Sequence, residues 1–478
     1  MLQSIEQRIQ SIINNLLPKT AIEGKFGTPK TLHEQLERYH TPGISIAVIN
    51  NFEIEWARGF GLCEAGTSRE VTTDTLFQAG SISKPVFALA LMRLVQEGIL
   101  NLDEDVNSYL TSWRVPANGE WQPCVTLRQL LSHTAGMTAQ GFYGYHVSAP
   151  LPTTIQVLNG ELPANSEKVE VNVIPGLNYR YSGGGMVVAQ QVLVDVLKKP
   201  FPEIMHELVL QPLGMSNSTY QQPLSTDWAI KAATAHPING TPLGGKYFIY
   251  PEMAAAGLWS TPTDLAKLGI EIMQVLHGKS TGLLSKETIE EMLHPQTEQS
   301  QGANGLFFAL GFAGNGTGDG SYFFHDGTNI GFIASTRFYS RIGKGIVIML
   351  NSNEGEPLRE EIMKAIALEY DYPDAFPQER KTVTLSQLDS YSGVYLTKSG
   401  LQFKVINRDD NLFLECQQQP LLQLFPTSEL EFFAKAVNAN ISFEKDNTGN
   451  ITVMILNQAG VMSLRPQADK YIRAEKIK

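Results

Sequence analysis

Alternating apolar and polar residues predict the first strands of the chain. The segment PGISIAVINNFEIEWARGFG (42–61) contains two such runs joined at Asn50-Asn51, which predicts a β-hairpin. Two more strands are predicted in GFIASTRFYS (331–340) and GKGIVIMLNS (343–352). Between these strands, apolar residues recur at helical spacing over roughly 126–132, 185–198, 203–211, 263–276 and 357–370. The order of strands, many helices and then strands predicts a sheet packed against a helical layer rather than repeated βαβ units.

The segment AGSISKPVFALALMRLVQEGIL (79–100) predicts a helix that is apolar almost all round and is therefore buried in the middle of its domain. Its first turn contains Ser81 and Lys84, followed by Pro85. Proline is tolerated only in the first turn of a helix, so the helix must begin close to Ser81. Residues three apart lie on one helix face, with β-carbons about 5–6 Å apart.

This pairing has a chemical interpretation. A serine hydroxyl is a poor nucleophile until a base takes its proton. Lysine, with an ordinary pKa near 10.4, becomes such a base when burial lowers that pKa. The alternative is a serine that caps the helix, followed by a solvated lysine.

The same S-x-x-K pattern occurs a second time, at Ser442 and Lys445. Here the surrounding ISFEKDNTGN predicts a strand that runs into a turn. Residues i and i+3 of a strand point to opposite faces, so these two side chains are not expected to cooperate.

The character of the chain changes after EYDYPDAFPQER (369–380). From Tyr391 onward, short alternating runs separated by Asp, Asn and Gly turns predict an antiparallel meander or a small, lipocalin-like barrel. We place the boundary near 375–385, with one domain over 1–375 and a second over 385–478. The long region between His133 and Tyr181, rich in Pro, Gly and Asn, is typical of functional lids or binding loops.

Composition narrows the function. The 478 residues carry a net charge of −11 with no cluster of Lys or Arg, which argues against nucleic-acid binding. No stretch is long and apolar enough to span a membrane, and the N-terminal residues lack the pattern of a secretory signal. We therefore expect a cytoplasmic protein, or a periplasmic or extracellular one if a leader has been removed. No histidines stand at metal-ligand spacing, and we expect neither a metal nor another cofactor. The oligomeric state stays open.

Four further segments carry a family resemblance. They are NYRYSGGGMVVAQQVL (178–193), YFFHDGTNIGF (322–332), LLSHTAGM (130–137) and AAGLWSTPTDLAKL (255–268). Together with the SISK segment, and taken in chain order, they resemble the serine penicillin-recognising hydrolases, which include class C β-lactamases, D-alanyl-D-alanine carboxypeptidases, D-aminopeptidases and related esterases. The resemblance covers roughly 20–370. It implies an α+β fold, with an antiparallel sheet flanked by helices, an all-helical region, and the site between them.

The resemblance also implies catalytic roles. Ser81 looks like the nucleophile that becomes acylated, and Lys84 looks like the base that accepts its proton. Tyr181 matches the tyrosine that shuttles protons between the nucleophile and the leaving group. The backbone N–H groups of Ser81 and Thr328 would form the oxyanion hole, in which one donor is worth about 10²–10³ in kcat.

By the same resemblance, three residues would border a small-molecule or short-peptide substrate: Gly183, His325 and Gly327. Two of them, Gly183 and His325, depart from the family pattern. The family usually has Asn at the position of Gly183, where the amide holds the acylamino group of the substrate. It usually has Lys at the position of His325, whereas histidine with a pKa near 6.5 is mostly neutral at neutral pH.

Both departures weaken the prediction of a β-lactamase and favour an esterase or D-peptidase that forms an acyl-enzyme on Ser81. Two alternatives are a genuine class C β-lactamase or penicillin-binding carboxypeptidase, and a non-catalytic binding or scaffold protein. If His325 orients the substrate, the pH–rate profile should have an inflection near pH 6–7. We interpret His133 as a structural residue of a turn under the site. Phe142, Tyr143 and Tyr145 are either a specificity wall or the packing core of their loop.

Overall fold

The computed structural model describes 3–18, 20–22, 28–280, 282–296, 306–373, 378–416, 421–435, 439–457 and 471–477. The chain falls into two compact units. The first comprises Met1–Ile9, His33–Arg359 and Tyr372–Asp374, and the second comprises Gln10–Leu32, Glu360–Asp371 and Ala375–Lys478.

The strands are β1 (Thr20–Ile22), β2 (Gly43–Asn50), β3 (Glu53–Gly61), β4 (Phe77–Gln78), β5 (Tyr145–His146), β6 (Phe248–Ile249), β7 (Trp259–Ser260), β8 (Phe307–Phe308), β9 (Ala313–Asn315), β10 (Tyr322–Asn329), β11 (Phe332–Tyr339), β12 (Lys344–Leu350), β13 (Gln378–Arg380), β14 (Gly393–Thr397), β15 (Gln402–Arg408), β16 (Asn411–Cys416), β17 (Leu422–Pro426), β18 (Glu431–Ala434), β19 (Asn440–Lys445), β20 (Ile451–Asn457) and β21 (Tyr471–Lys476). The helices are α1 (Ile5–Asn14), α2 (Leu32–Arg38), α3 (Ser83–Gln96), α4 (Leu127–Leu131), α5 (Thr154–Asn159), α6 (Gly183–Leu197), α7 (Phe201–Met205), α8 (Thr226–Lys231), α9 (Met253–Ala256), α10 (Pro262–Leu276), α11 (Lys286–Leu293) and α12 (Glu356–Glu369).

Seven strands of the first unit form one sheet in the order β3-β2-β12-β11-β10-β9-β8, and every neighbouring pair is antiparallel. The predicted hairpin is present as β2 and β3. Its two turn residues are Asn51 and Phe52, with φ of 52° and 65°, so the turn lies one residue later than predicted. Positive φ at both central residues is the geometry that matches the twist of the flanking strands.

The helix predicted after Ser81 forms α3, and all of its residues except Arg93, Val95 and Gln96 are buried. A 3₁₀ turn over Gly80–Ile82 precedes it, so Ser81 lies just outside the α-helix and Pro85 is its third residue. Ser81 and Lys84 therefore lie on either side of the junction between the 3₁₀ turn and α3. The apolar surface of α3 thus anchors the turn that presents Ser81.

The second unit contains a closed antiparallel barrel of eight strands, β14 to β21 in chain order. The structure therefore decides between the two predicted arrangements in favour of the barrel. Buried residues of these strands form an apolar core, to which Tyr395, Phe403, Phe432, Phe443 and Met454 contribute. The predicted α+β fold, with a small antiparallel barrel in the C-terminal region, is confirmed. The domain boundary near 375–385 stays a prediction.

Candidate active site

The structure brings Ser81 and Lys84 into direct contact. The Nζ of Lys84 lies 2.9 Å from the Ser81 Oγ, and it donates a hydrogen bond to the Ala255 carbonyl oxygen at 2.8 Å. Ala255 belongs to α9, which packs against α3. The Lys84 Nζ is thus held between the Ser81 hydroxyl, in the turn before its own helix, and a carbonyl oxygen from a distant part of the chain.

Lys84 is only 2% exposed, and burial lowers its pKa to about 7. Desolvation has this effect because it disfavours the charged ammonium relative to the neutral amine. Near neutral pH a substantial fraction of Lys84 is therefore an uncharged amine whose lone pair is available to the Ser81 hydroxyl. This is the condition that the sequence-based interpretation requires.

Tyr181 lies over the same lysine. Its ring centroid is 4.9 Å from the Lys84 Nζ. Burial raises the pKa of the phenol, and the nearby Ser81 side chain offsets that rise in part. Among the described residues, the buried hydroxyl of Tyr181 has no hydrogen-bond partner. Tyr181 therefore enters the site as a protonated phenol beside Ser81 and Lys84.

Ser182 positions Tyr181 relative to the helix that follows. Its Oγ accepts a hydrogen bond from the Gly185 N–H at 3.0 Å and donates one to the Thr138 carbonyl oxygen at 2.7 Å. It is the N-cap of α6, so the phenol is placed directly before a rigid buried helix.

His325 lies in β10 itself, whereas the sequence placed it ahead of a strand. Its Nδ1 donates a hydrogen bond to the Asp326 carbonyl oxygen at 2.6 Å, which leaves Nε2 as the acceptor. Burial, assisted by the positive charge of Lys84, lowers the pKa of His325 to about 4. The expectation that His325 titrates near pH 6–7 is therefore wrong, because it assumed the pKa of a solvated imidazole.

The backbone around Gly80 lies against the backbone around Gly327. A β-carbon at position 327 would lie 1.9 Å from the Ala79 carbonyl oxygen and 3.0 Å from the Ser81 nitrogen, and one at Gly80 would lie 2.6 Å from the Thr328 nitrogen. Real β-carbons do not come this close to other atoms, so only glycine fits at both positions. The main-chain N–H groups of Ser81 and Thr328 are consequently carried by adjoining segments.

Gly183 faces an aromatic ring rather than open space. A β-carbon at this position would lie 2.9 Å from a ring carbon of Phe142 and 3.3 Å from the Gln140 carbonyl oxygen. Phe142, Tyr143 and Tyr145 differ in exposure, since Tyr143 is 72% exposed, Tyr145 is 4% exposed and Phe142 is half-buried. Tyr145 thus belongs to the packing of the loop, whereas Phe142 contacts the start of α6.

His133 also belongs to the cluster, although the sequence assigned it no role there. It is buried, and its ring centroid is 4.2 Å from that of Tyr181. Lys84 and His325 both lower the pKa of His133. The side chains of His133, Lys84, Tyr181 and His325 therefore lie close together. No periodicity in the sequence indicates that His133 lies in this cluster, because it reaches the site through the turn after α4.

The described part of the chain offers no group of His, Cys, Asp and Glu side chains that could hold a metal ion. Within the same residues, no helix combines the length and the apolar character needed to cross a membrane.

A beta-lactamase family model matches 29–371, which includes Ser81, Lys84, Tyr181 and His325 and most of the first unit. The chain belongs to the beta-lactamase family. The resemblance inferred from the separate motifs is thereby confirmed, and the chain is a serine hydrolase of this superfamily.

Individual members show how far the similarity extends. Penicillin-binding protein 4* of Bacillus subtilis is 22% identical over 444 residues, which cover 87% of this chain and 92% of that protein. The octameric penicillin-binding protein homologue from Pyrococcus abyssi matches with a TM-score of 0.62 at 22% identity, covering 93% of this chain and 98% of its own. A beta-lactamase/D-alanine carboxypeptidase from Yersinia pestis, complexed with citrate, matches with a TM-score of 0.55 at 18% identity, covering 71% and 95%. At such identities the solved structures support the fold of this beta-lactamase family member.

Proposed function

We propose that this protein hydrolyses esters or amides, including D-amino acid peptide-like bonds, through an acyl-enzyme formed on Ser81. The observation that carries the proposal is the 2.9 Å contact between the Ser81 hydroxyl and a buried amine whose pKa is lowered to about 7. An amine in this state can take the serine proton near neutral pH, which a solvated lysine cannot do.

The proton then follows a defined path. As Ser81 Oγ attacks the carbonyl carbon, its proton passes to the neutral Lys84 Nζ. Tyr181, which burial keeps protonated, donates its phenolic proton to the departing oxygen or nitrogen and is reprotonated by Lys84. Water later attacks the acyl-enzyme by the reverse route, which releases the acid and restores the serine hydroxyl.

The negative charge on the carbonyl oxygen needs two donors in the transition state. The adjoining backbones at Ser81 and Thr328 support their role as these donors. A side chain at Gly327 would force the two segments apart. Glycine at this position therefore serves catalysis by allowing a close approach of main chains rather than by flexibility.

Two features support a substrate without a terminal carboxylate. His325 is neutral at pH 7 and presents a hydrogen-bond acceptor at Nε2, so it does not offer the permanent positive charge that would hold a carboxylate. Gly183 lacks an amide, and the Phe142 ring occupies the space next to it. The apolar ring of Phe142 suits an apolar acyl group, or the side chain of a D-amino acid, better than an acylamino group.

A substrate panel tests the proposal. Wild type and Ser81→Ala would be assayed with short p-nitrophenyl esters, D-amino acid p-nitroanilides, a D-Ala-D-Ala peptide and the cephalosporin nitrocefin. We expect turnover of esters or D-amino acid anilides by wild type alone, with little or no turnover of nitrocefin or the D-Ala-D-Ala peptide. Efficient nitrocefin hydrolysis would favour a β-lactamase, and absence of turnover with every substrate would favour a binding protein.

A further inference from the structure

His133 adopts a backbone conformation that is unusual for a residue with a side chain. Its φ is +58°, in the left-handed region. Such positions are uncommon outside glycine and require the surrounding structure to hold them. Here the His133 carbonyl oxygen accepts a hydrogen bond from the Arg180 N–H at 2.7 Å. The turn is therefore tied to the residue directly before Tyr181.

The imidazole of His133 makes a second connection, to the residue directly after Tyr181. Its Nδ1 accepts a hydrogen bond from the Ser182 N–H at 3.2 Å, so the ring proton is on Nε2. The ring also lies against the Tyr181 ring, with centroids 4.2 Å apart and planes inclined by 38°. Tyr181 is thus held through both of its neighbours in sequence and through its own aromatic face.

The charge state of His133 fits a positioning role. Burial first, and then the positive charge of Lys84 and the nearby His325, hold the pKa of His133 well below its usual range. The imidazole is therefore neutral near pH 7, where the proposed reaction takes place. At that pH it adds no positive charge beside Lys84 and does not exchange protons.

We propose that His133 is a positioning residue that fixes the Tyr181 phenol above Lys84 and thereby sets the rate of proton transfer to the leaving group. The inference rests on the proposed function, because it assumes that Tyr181 transfers that proton. It assigns to the imidazole a task different from that of a turn former. A turn former would support folding, whereas a positioning residue acts on kcat through the tyrosine hydroxyl.

Two variants separate the connections. His133→Asn keeps an acceptor on the atom attached to Cγ and tolerates positive φ, but it removes the ring that contacts Tyr181. His133→Ala removes both the hydrogen-bond acceptor and the ring. Because small misplacements of a catalytic group lower rates strongly, we expect kcat to fall about 5-fold in His133→Asn and about 30-fold in His133→Ala, with KM changing less than about 3-fold.

The decisive step is to repeat both substitutions in a Tyr181→Phe background, which keeps the ring and removes the hydroxyl. If His133 acts through that hydroxyl, each substitution should then change kcat by less than about 2-fold. The thermal midpoint of every variant would be measured as well, because a folding role would lower it without this dependence on Tyr181.

The outcomes are distinguishable. Equal losses in both backgrounds, with Tyr181→Phe itself strongly impaired, would overturn the positioning role and leave the proposed function standing. Full activity of Tyr181→Phe would overturn the positioning role and the assignment of Tyr181 as proton donor, whereas absence of turnover by wild type with every substrate would overturn the proposed function itself. If His133→Ala does not fold, the His133→Asn pair gives the same comparison, since its smaller loss must still vanish in Tyr181→Phe.

Discussion

The same four-residue pattern, S-x-x-K, occurs in both units of the protein with opposite results. At Ser81 and Lys84 it stands in a 3₁₀ turn at the start of a buried helix, and the two polar atoms are 2.9 Å apart. At Ser442 and Lys445 it stands in β19, where Lys445 is exposed and its Nζ pairs with Glu429. That ion pair raises the pKa of Lys445, whereas burial lowers that of Lys84 to about 7.

The comparison shows that the pattern acquires chemistry only from its setting. Helical spacing brings the hydroxyl and the amine together, and burial in a low-dielectric environment makes the amine a base. The strand of the barrel supplies neither condition. Substitutions made in parallel at the two pairs therefore test the account with internal controls.

The largest expected effect is at the two serines. Ser81→Ala should lower turnover by about 10⁴-fold or more, because the nucleophile is removed and only binding and charge stabilisation remain. Ser442→Ala should leave turnover unchanged within about 2-fold. Steady-state assays with a p-nitrophenyl ester measure both. Comparable losses in the two variants would remove the distinction between the sites.

The next effect is at the two lysines. Lys84→Met should lower kcat by about 10²–10⁴-fold, which is the usual range for loss of a general base. Lys445→Met removes the charge while keeping most of the side-chain length, and it should have no effect on kcat. Single-turnover measurements would assign the loss in Lys84→Met to acylation. A Lys84→Met enzyme that acylates at the wild-type rate would refute the proposed base.

Burial of Lys84 also has a consequence for stability. Its pKa is lower in the folded protein than in the unfolded chain, so the unfolded chain binds more protons between about pH 7 and 10.5. The destabilisation is fully present below pH 7 and fades as pH rises through that window. Relative to Lys84→Met, the free energy of unfolding of wild type should rise by about 3 kcal/mol between pH 7 and 10. Urea unfolding at the two pH values measures it.

Lys445→Met is the matched control for this measurement. Because Glu429 raises the pKa of Lys445 in the folded protein, this lysine stays largely protonated between pH 7 and 10, and the stability difference between Lys445→Met and wild type should change little there. A constant difference for Lys84→Met as well would mean that Lys84 is charged in the folded protein.

The smallest expected effect concerns His325. Because its pKa is lowered to about 4, the inflection of kcat/KM near pH 7 belongs to Lys84 and should persist in His325→Gln, displaced by less than about half a pH unit. A pH–rate profile of both enzymes decides this. Disappearance of the inflection in His325→Gln would return the titration to the imidazole.

Much of the site could be predicted from the sequence, for identifiable reasons. Pro85 fixed the start of the helix, and spacing then paired Ser81 with Lys84. Tyr181 and His325 could be found only through their resemblance to family motifs, since nothing in their local patterns joins them to Ser81. The barrel followed from alternation in its strands, although its closure did not, because closure depends on pairing between the first and last strands.

What could not be predicted arises from contacts between distant segments. The Ala255 carbonyl that receives the Lys84 amine, the Phe142 ring beside Gly183 and the His133 ring beside Tyr181 all come from loops or short elements. The pKa that the sequence predicted for His325 was wrong for the same reason, because burial and the charge of Lys84 are properties of the folded protein. Periodicity describes which face is buried, and it does not describe which neighbours meet there.

In the proposed mechanism, Ser81 is acylated because a buried, neutral Lys84 accepts its proton. The most direct test is the rate at which a fluorophosphonate adds mass to Ser81, followed by peptide mass spectrometry from pH 5 to 9. We expect a single adduct on Ser81 whose rate of formation rises through about pH 7 and then levels off. An adduct on another residue, or a rate on Ser81 that does not change across this range, would contradict it.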